Sequence, residues 1–268
     1  MSMLKDNPLQ KSSTVLLIGD SCRDIYVFGT CERLSPEAPV PIFCEVRREE
    51  RPGMLLNVDK NLRNLGNNVI SITNLMTGTK KRLVVESTMH HLIRVDNDVE
   101  IKPLKLEQLA KLNWNKIDAV AISDYDKGFV SDEAALMICE MCHDKSIPVF
   151  VDSKKRDLSC FPNSTIKINH YEKSLVTKFP DSCRMITTLG AGGAELNDRV
   201  FDSYTNTVAD QYGMRDVCGA GDTFFAALIH QYLRNSHEIY DAIKFANKCA
   251  AVVVGRFGTV AINSDDVT

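Results

Sequence analysis

An open, mostly parallel α/β sheet with helices on both faces is the architecture this sequence predicts, and three observations predict it. Short apolar runs without polar alternation recur along the chain, as in "STVLLIG" (13–19) and "DAVAISD" (118–124). Such runs suit strands buried on both faces. Stretches with apolar residues at helical spacing fall between them. Polar residues and glycine gather just after the apolar runs, at Asp20, Asp124, Asp152, Asn169 and Gly190. In a parallel sheet these positions share the carboxyl edge, where ligands bind.

The elements follow in order. After the strand at 13–19, "MLLNVDKNLRNLG" (54–66) has helical spacing and a terminal Gly66 that suits a C′ cap. "NVISIT" (68–73) is the second core strand. Strands at 118–124 and 148–153 flank a helix at 131–145, and "STIKIN" (164–169) and "RMITTLG" (184–190) continue the series. A helix is expected at 222–235 and another within 241–258, ending near Gly255. Two stretches break the rhythm. Residues 25–53 are rich in proline, aromatic and β-branched residues, and "KKRLVVESTMHHLIRVDND" (80–98) alternates like exposed strands. Both are predicted to form an antiparallel flap over the crevice. With no repeat, low-complexity tract or linker, the expectation is one domain over 12–268 carrying lid segments at about 25–53 and 80–98. Residues 1–11 then read as an N-terminal extension.

The 268 residues, 44% hydrophobic and 25% charged, have the composition of an ordinary soluble globular protein. A net charge of −3 argues against a dedicated nucleic-acid or anionic-membrane binder. No apolar run approaches the roughly 20 residues of a membrane span. The N-terminus "MSMLKDNPLQKSS" lacks the apolar centre of a signal peptide, so cytoplasmic residence is expected. The nine cysteines, irregularly spaced, read as reduced thiols. Cys139 and Cys142 form a C-x-x-C beside His143, but within a strongly helical stretch and without a second pair at zinc-site spacing. Buried helix cysteines are the preferred reading there.

The stretch "DVCGAGDTF" (216–224) carries the most chemistry. A glycine-rich turn feeding a helix start presents free backbone N–H groups at the positive end of the helix dipole, which suits a phosphate. Asp222 would repel that phosphate, and makes sense if it must touch a hydroxyl about to attack it. Taken alone, the string fits equally well a loop ending in an Asp N-cap. Cys218, just before the helix, is expected to have a lowered thiol pKa.

Read with "GDSCRD" (19–24), "ERLSPEAPVPIF" (32–43), "ERPGMLLNV" (50–58), "LIRVD" (92–96), "SDYDKG" (123–128), "DSKK" (152–155), "NHYE" (169–172) and "FANKCAAVVVGRFGT" (245–259), this stretch resembles the ribokinase (PfkB) family of carbohydrate kinases. Within that family the chain is most similar to the heptose-7-phosphate kinase domains of bifunctional heptose synthesis proteins, from about residue 14 to 262. The resemblance implies a ribokinase-like three-layer α/β/α sandwich with a mostly parallel sheet and a small β-strand lid, and ATP as phosphoryl donor. Asp222 is then the general base, and the backbone N–H groups of Gly219, Ala220 and Gly221 hold the transferring phosphoryl group. Asn169 and Glu172 organise Mg²⁺ and the ATP phosphates, with Glu172 reaching the metal through water. Asp24, Gly53 and Asn57 contact the sugar, while Lys154 and Lys127 lie near the reaction centre and Arg94, on the flap, meets a substrate phosphate. Thr188, Gly190, Gly193 and Asn247 border the nucleotide. Asp216 opens a stretch that holds a monovalent cation such as K⁺.

The resemblance further implies a homodimer formed through the lid and heptose 7-phosphate, phosphorylated at O1, as the acceptor. A kinase for another sugar is the near alternative, and a non-catalytic binding or scaffold protein of the same fold the distant one. The pattern departs from the family in two places. Where relatives read "GGAAN", this chain reads "GMLLN" (53–57), which changes the pocket wall. Between Gly66 and Lys81 there are only 14 residues, where relatives place about thirty more as a further helix and strand, so the sheet is expected to be shortened after its second core strand. No nucleotidyltransferase half follows "GRFGTVAIN", so a separate protein is expected to perform adenylylation.

Overall fold

The structure, a computed structural model, describes residues 12–75, 77–203 and 216–266; the expected extension at 1–11 and the last two residues of the expected domain lie outside them. The core strands are β1 (Thr14–Gly19), β4 (Asn68–Thr73), β7 (Ala119–Asp124), β8 (Val149–Ser153), β9 (Ser164–Asn169) and β10 (Cys183–Thr188). They pair in parallel in the order β10-β9-β8-β7-β1-β4, and the antiparallel hairpin β11 (Ala194–Leu196) and β12 (Arg199–Phe201) extends the β10 edge to eight strands. That hairpin is not among the elements expected from the sequence. Its strands are three residues long, too short for a period, yet its two-residue loop, Asn197-Asp198, has φ of 50° and 59°, as a type I′ turn requires.

Alternate residues of each core strand feed opposite layers. Val15, Leu17, Ala119, Ala121 and Phe150 pack with α1 (Leu55–Asn64), α5 (Ala220–Arg234) and α6 (Ile239–Val254). Leu16, Ile18, Val120, Ile122, Val149 and Val151 pack with α2 (Glu107–Ala110) and α3 (Asp132–Asp144). A short α4 (His170–Leu175) caps the carboxyl end of β9. The result is the three-layer α/β/α sandwich expected. Cys139 and Cys142 are fully buried in the second layer, as read from the sequence, and burial pushes both thiols up to about 12.

The lid is a separate four-stranded sheet of β2 (Ser21–Leu34), β3 (Pro41–Met54), β5 (Gly78–Val85) and β6 (His90–Asn97), in the order β3-β2-β5-β6. Each hairpin is antiparallel, but β2 and β5 join in parallel, which corrects the all-antiparallel flap. The cause lies in the core: β1 and β4 are adjacent and parallel, so the strands that continue from their carboxyl ends leave side by side in one direction. The expected shortening is also present. β4 is the edge strand of the core sheet, and the chain passes from Thr73 to lid strand β5 within five residues.

Candidate active site

Asp222 stands at the carboxyl edge of the core sheet, beneath the lid. The turn before α5 ends at Gly219, the cap residue, whose φ of 79° is left-handed and open to glycine without strain. A Cβ there would stand 2.8 Å from both the Asn57 amide nitrogen and Thr259 Cγ2. Asp222 therefore lies in the first helical turn, not at the cap, which removes the N-cap reading. Of the three N–H groups expected to hold a phosphoryl group, that of Ala220 already donates to Val217 O at 3.2 Å. Gly219 through Asp222 nonetheless line a cleft of about 570 Å³ at the positive end of the α5 dipole.

Both carboxylate oxygens of Asp222 are held. Asn57 Nδ2 donates to Oδ2 at 2.9 Å, and the Tyr125 hydroxyl donates to Oδ1 at 2.7 Å. Asn57 is fixed on α1 by Asn61 Nδ2, which donates to its carbonyl at 2.7 Å. Tyr125 sits in the turn after β7, where Asp20 Oδ2 accepts its backbone N–H at 2.7 Å. Asp20 also accepts from Lys127 N and Phe129 N, so this buried acid shapes the turn that presents Tyr125. Burial pushes the Asp222 carboxyl above the usual carboxylate range and Asp152 adds to the push, while the Asn57 and Tyr125 bonds and Lys167 pull it back. Tyr125 escaped the sequence reading although it lies inside the quoted "SDYDKG".

Beside Asp222 lies a chain of ion pairs. Asp152 Oδ2 accepts from Lys167 Nζ at 2.8 Å and Oδ1 from Lys154 Nζ at 3.2 Å, and Lys154 reaches Glu172 Oε1 at 2.6 Å. Burial opposes the Asp152 charge, but Lys154 and Lys167 outweigh it and hold the carboxyl below its ordinary value. The same acids hold Lys154 above its ordinary value against burial. Lys167 was not singled out in the sequence; a lysine inside the apolar run "STIKIN" was its signal. Asn169 and Glu172 form a reciprocal capping box at the start of α4, so the N-x-x-E pair is first of all a helix cap.

On the lid side of Asp222, Asp24 Oδ1 accepts from Arg82 Nη1 at 2.6 Å, and Asp24 Oδ2 from the Thr259 hydroxyl at 3.2 Å. Gly53 borders this pair, and a Cβ on it would lie 2.7 Å from Asp24 Oδ2. The "GMLLN" departure leaves Asn57 in place, since Leu55 is fully buried in the core and Leu56 packs against it. It carries a cost at Met54, whose φ of 57° and ψ of −132° belong to glycine's territory.

Thr188, Gly190, Gly193 and Asn247 line the same cleft as Asp222, with Ala250, Ala251 and Val254 as an apolar wall. The Asn247 amide is already used, donating to Phe201 O at 2.9 Å, so it ties α6 to β12. Asp216 Oδ1 accepts Cys218 N–H at 2.9 Å and Oδ2 accepts Gly258 N–H at 2.8 Å; this carboxylate organises two loops. Cys218 is not activated: burial and neighbouring Asp216 push its thiol up to about 11, the reverse of the helix-terminus expectation. Two expected contacts fall away from the cleft. Arg94 is exposed on β6 and paired with Asp96, and Lys127 Nζ pairs with Asp98 at 2.6 Å.

The sandwich, the β-sheet lid and the buried acid on a glycine-led helix start point to one class, the ribokinase-like carbohydrate kinases. The sequence profile of the pfkB family carbohydrate kinases matches residues 77–266, and the chain belongs to this family of sugar kinases. Among curated proteins it is 29% identical to the bifunctional protein HldE of Campylobacter curvus, over 97% of this chain and 65% of that protein. It is 28% identical to the HldE of Campylobacter jejuni subsp. doylei, over 96% and 64%. The chain thus spans just under two thirds of the length of these relatives. Its fold matches phosphofructokinase-2 from Escherichia coli in complex with potassium, with a TM-score of 0.71 and 16% identity over 96% of this chain and 97% of that one. It also matches Arabidopsis thaliana ribokinase complexed with ribose and ATP, with a TM-score of 0.67 and 13% identity over 96% and 98%. Among the described residues no helix is long and apolar enough to cross a membrane.

Proposed function

We propose that the chain transfers the γ-phosphoryl group of ATP to a sugar hydroxyl, with D-glycero-D-manno-heptose 7-phosphate, phosphorylated at O1, as the best single acceptor. The observation that carries this reading is Asp222 itself. It is a buried carboxylate, oriented by Asn57 and Tyr125 and set between a nucleotide-sized, lysine-lined cleft and the lid. Such a carboxylate repels a phosphate in the same cleft, so nucleotide binding alone does not account for it. Asp222 accepts the proton of the attacking hydroxyl, and its raised pKa brings it nearer the working pH of a base. The N–H groups of Gly219 and Gly221, with Lys154 and Lys167, take up the charge that develops on the phosphoryl oxygens. Asp24, with Gly53 leaving room beside it, accepts from sugar hydroxyls.

The cleft fits a nucleotide: Thr188, Gly190 and Gly193 lie along one side and the apolar wall of α6 along the other. Mg²⁺ would neutralise the phosphates when bound. Both Glu172 oxygens already have partners, in Asn169 N and Lys154, which favours holding that ion through water, together with Asn169. For a monovalent cation such as K⁺, Asp216 would act by shaping the carbonyls of the 216–218 and 254–258 loops. The exposed Leu92, Ile93 and Val95 of β6 support a homodimer through the lid.

The test is ADP release with Mg²⁺ and K⁺ across a panel of sugars and sugar phosphates that includes heptose 7-phosphate. An acceptor-dependent rate is expected, and Asp222→Asn should lower kcat by about 10²- to 10⁴-fold while leaving ATP binding intact. Nucleotide binding without any acceptor-dependent rate would overturn the reading in favour of a non-catalytic protein of this fold.

A further inference from the structure

We propose that Lys80, on lid strand β5, anchors an anionic group of the acceptor, so that the site takes a sugar phosphate in preference to the neutral sugar; this rests on the kinase reading above. The register of the lid supplies the placement. Asp24 pairs with Lys80 and Tyr26 with Arg82 across the parallel junction of β2 and β5, so these four side chains share one lid face. The Asp24 bond to Thr259 and the Tyr26 hydroxyl contact with the same threonine, at 2.9 Å, turn that face toward the start of α5.

One cation on this face stands apart from the others. Arg82 is closed on Asp24, Lys167 on Asp152, and Lys154 on Asp152 and Glu172. The two cations expected to meet a substrate phosphate, Arg94 and Lys127, are paired with Asp96 and Asp98. Lys80 is half-buried; its cross-strand neighbours Asp24 on β2 and Asp96 on β6 are taken by Arg82 and Arg94, and among the described residues no carboxylate lies within ion-pair distance of its ammonium. Its Nζ stands 5.0 Å from the centre of the Tyr125 ring, and the hydroxyl of that ring holds Asp222. One aromatic ring therefore separates a free cation from the base, a span similar to that between a sugar's reacting hydroxyl and a substituent on its far side. A partly desolvated ammonium without a counter-ion is costly, and a ligand anion removes that cost. The cation over Tyr125 makes a weak contact by comparison.

The experiment measures paired acceptors, D-mannose against D-mannose 6-phosphate and the free heptose against heptose 7-phosphate, by ADP release and by calorimetric binding to the Asp222→Asn variant. Expected is a preference for the phosphorylated member that Lys80→Met reduces by about 10- to 100-fold, through acceptor KM and binding, while KM for ATP stays unchanged. Lys80→Arg should restore most of the preference. An equal effect on both members of a pair, or an unchanged preference, would overturn the assignment. Lys80-dependent binding without turnover would uphold it and sink the kinase reading instead; turnover with no Lys80 dependence would do the reverse.

Discussion

The two faces of the core sheet treat a buried carboxylate in opposite ways. Asp124 and Asp152 lie on adjacent strands, but the register sets Ser123 against Asp152 and Asp124 against Ser153, so the two acids point to opposite faces. Both are buried. Asp152, on the face covered by α1, α5 and α6, meets Lys154 and Lys167 and stays below its ordinary pKa. Asp124, on the α3 face, has the Ser153 hydroxyl and the Asp126 N–H as close partners, with Lys155 acting from further off, and burial pushes it up to about 6. Burial is common to both; what separates them is imported positive charge. The face that carries Lys154 and Lys167 keeps Asp152 ionised through them.

The sharpest way to break the contrast is to remove the cation from one face. Lys167→Met keeps the volume but leaves Asp152 with half its partners, and should cost about 4 kcal/mol in urea unfolding at pH 7. A loss under 1 kcal/mol would mean that Lys154 alone suffices. The other face responds to pH. The folded pKa of Asp124 lies above its unfolded value, so its contribution is complete below about pH 4 and is lost as pH rises through about 6. Between pH 4 and 7 the wild type should lose roughly 3 kcal/mol relative to Asp124→Asn, which does not titrate; parallel stability curves for the two proteins would contradict the raised pKa. The smallest effect sharpens the comparison at the base. Tyr125→Phe removes a bond that favours ionised Asp222, so kcat should fall about tenfold and the acidic limb of the pH–rate profile should move to higher pH. An unmoved limb would leave Tyr125 a packing role only.

The core was legible because its signals are local. "STIKIN" is β9 residue for residue, and α6 stops at Gly255 as its sequence indicates. The lining of the cleft was legible where a residue ends or follows a core strand or sits in the first turn of a helix, as Asn169, Lys154 and Asp222 do. What escaped depends on partners distant in sequence. The parallel junction of the lid follows from where β1 and β4 end, and Lys80 matters only because Arg82 has already found Asp24. Lys127 looks in sequence like a substrate cation, and nothing local reveals Asp98, the acid that neutralises it; Arg94 is different, since its partner Asp96 stands two residues on along β6. Cys218 shows the same limit, since the helix-terminus argument omits the burial and the Asp216 contact that reverse its sign.

Asn74 stands at the point where the chain leaves β4. Its side chain accepts the Ser21 backbone N–H at 2.7 Å and donates to the Ser21 carbonyl at 3.2 Å, standing in for a strand neighbour where both hairpins leave the core. Above that clasp, eight consecutive residues of β2, from Cys22 to Gly29, are paired with β5. The two hairpins, separated by a helix and a core strand in sequence, are thereby joined into one mechanical plate. Amide protons of β3 and β6, at its outer edges, should exchange with solvent by a shared opening event rather than independently, and the lid should admit or release ligand by tilting as a unit.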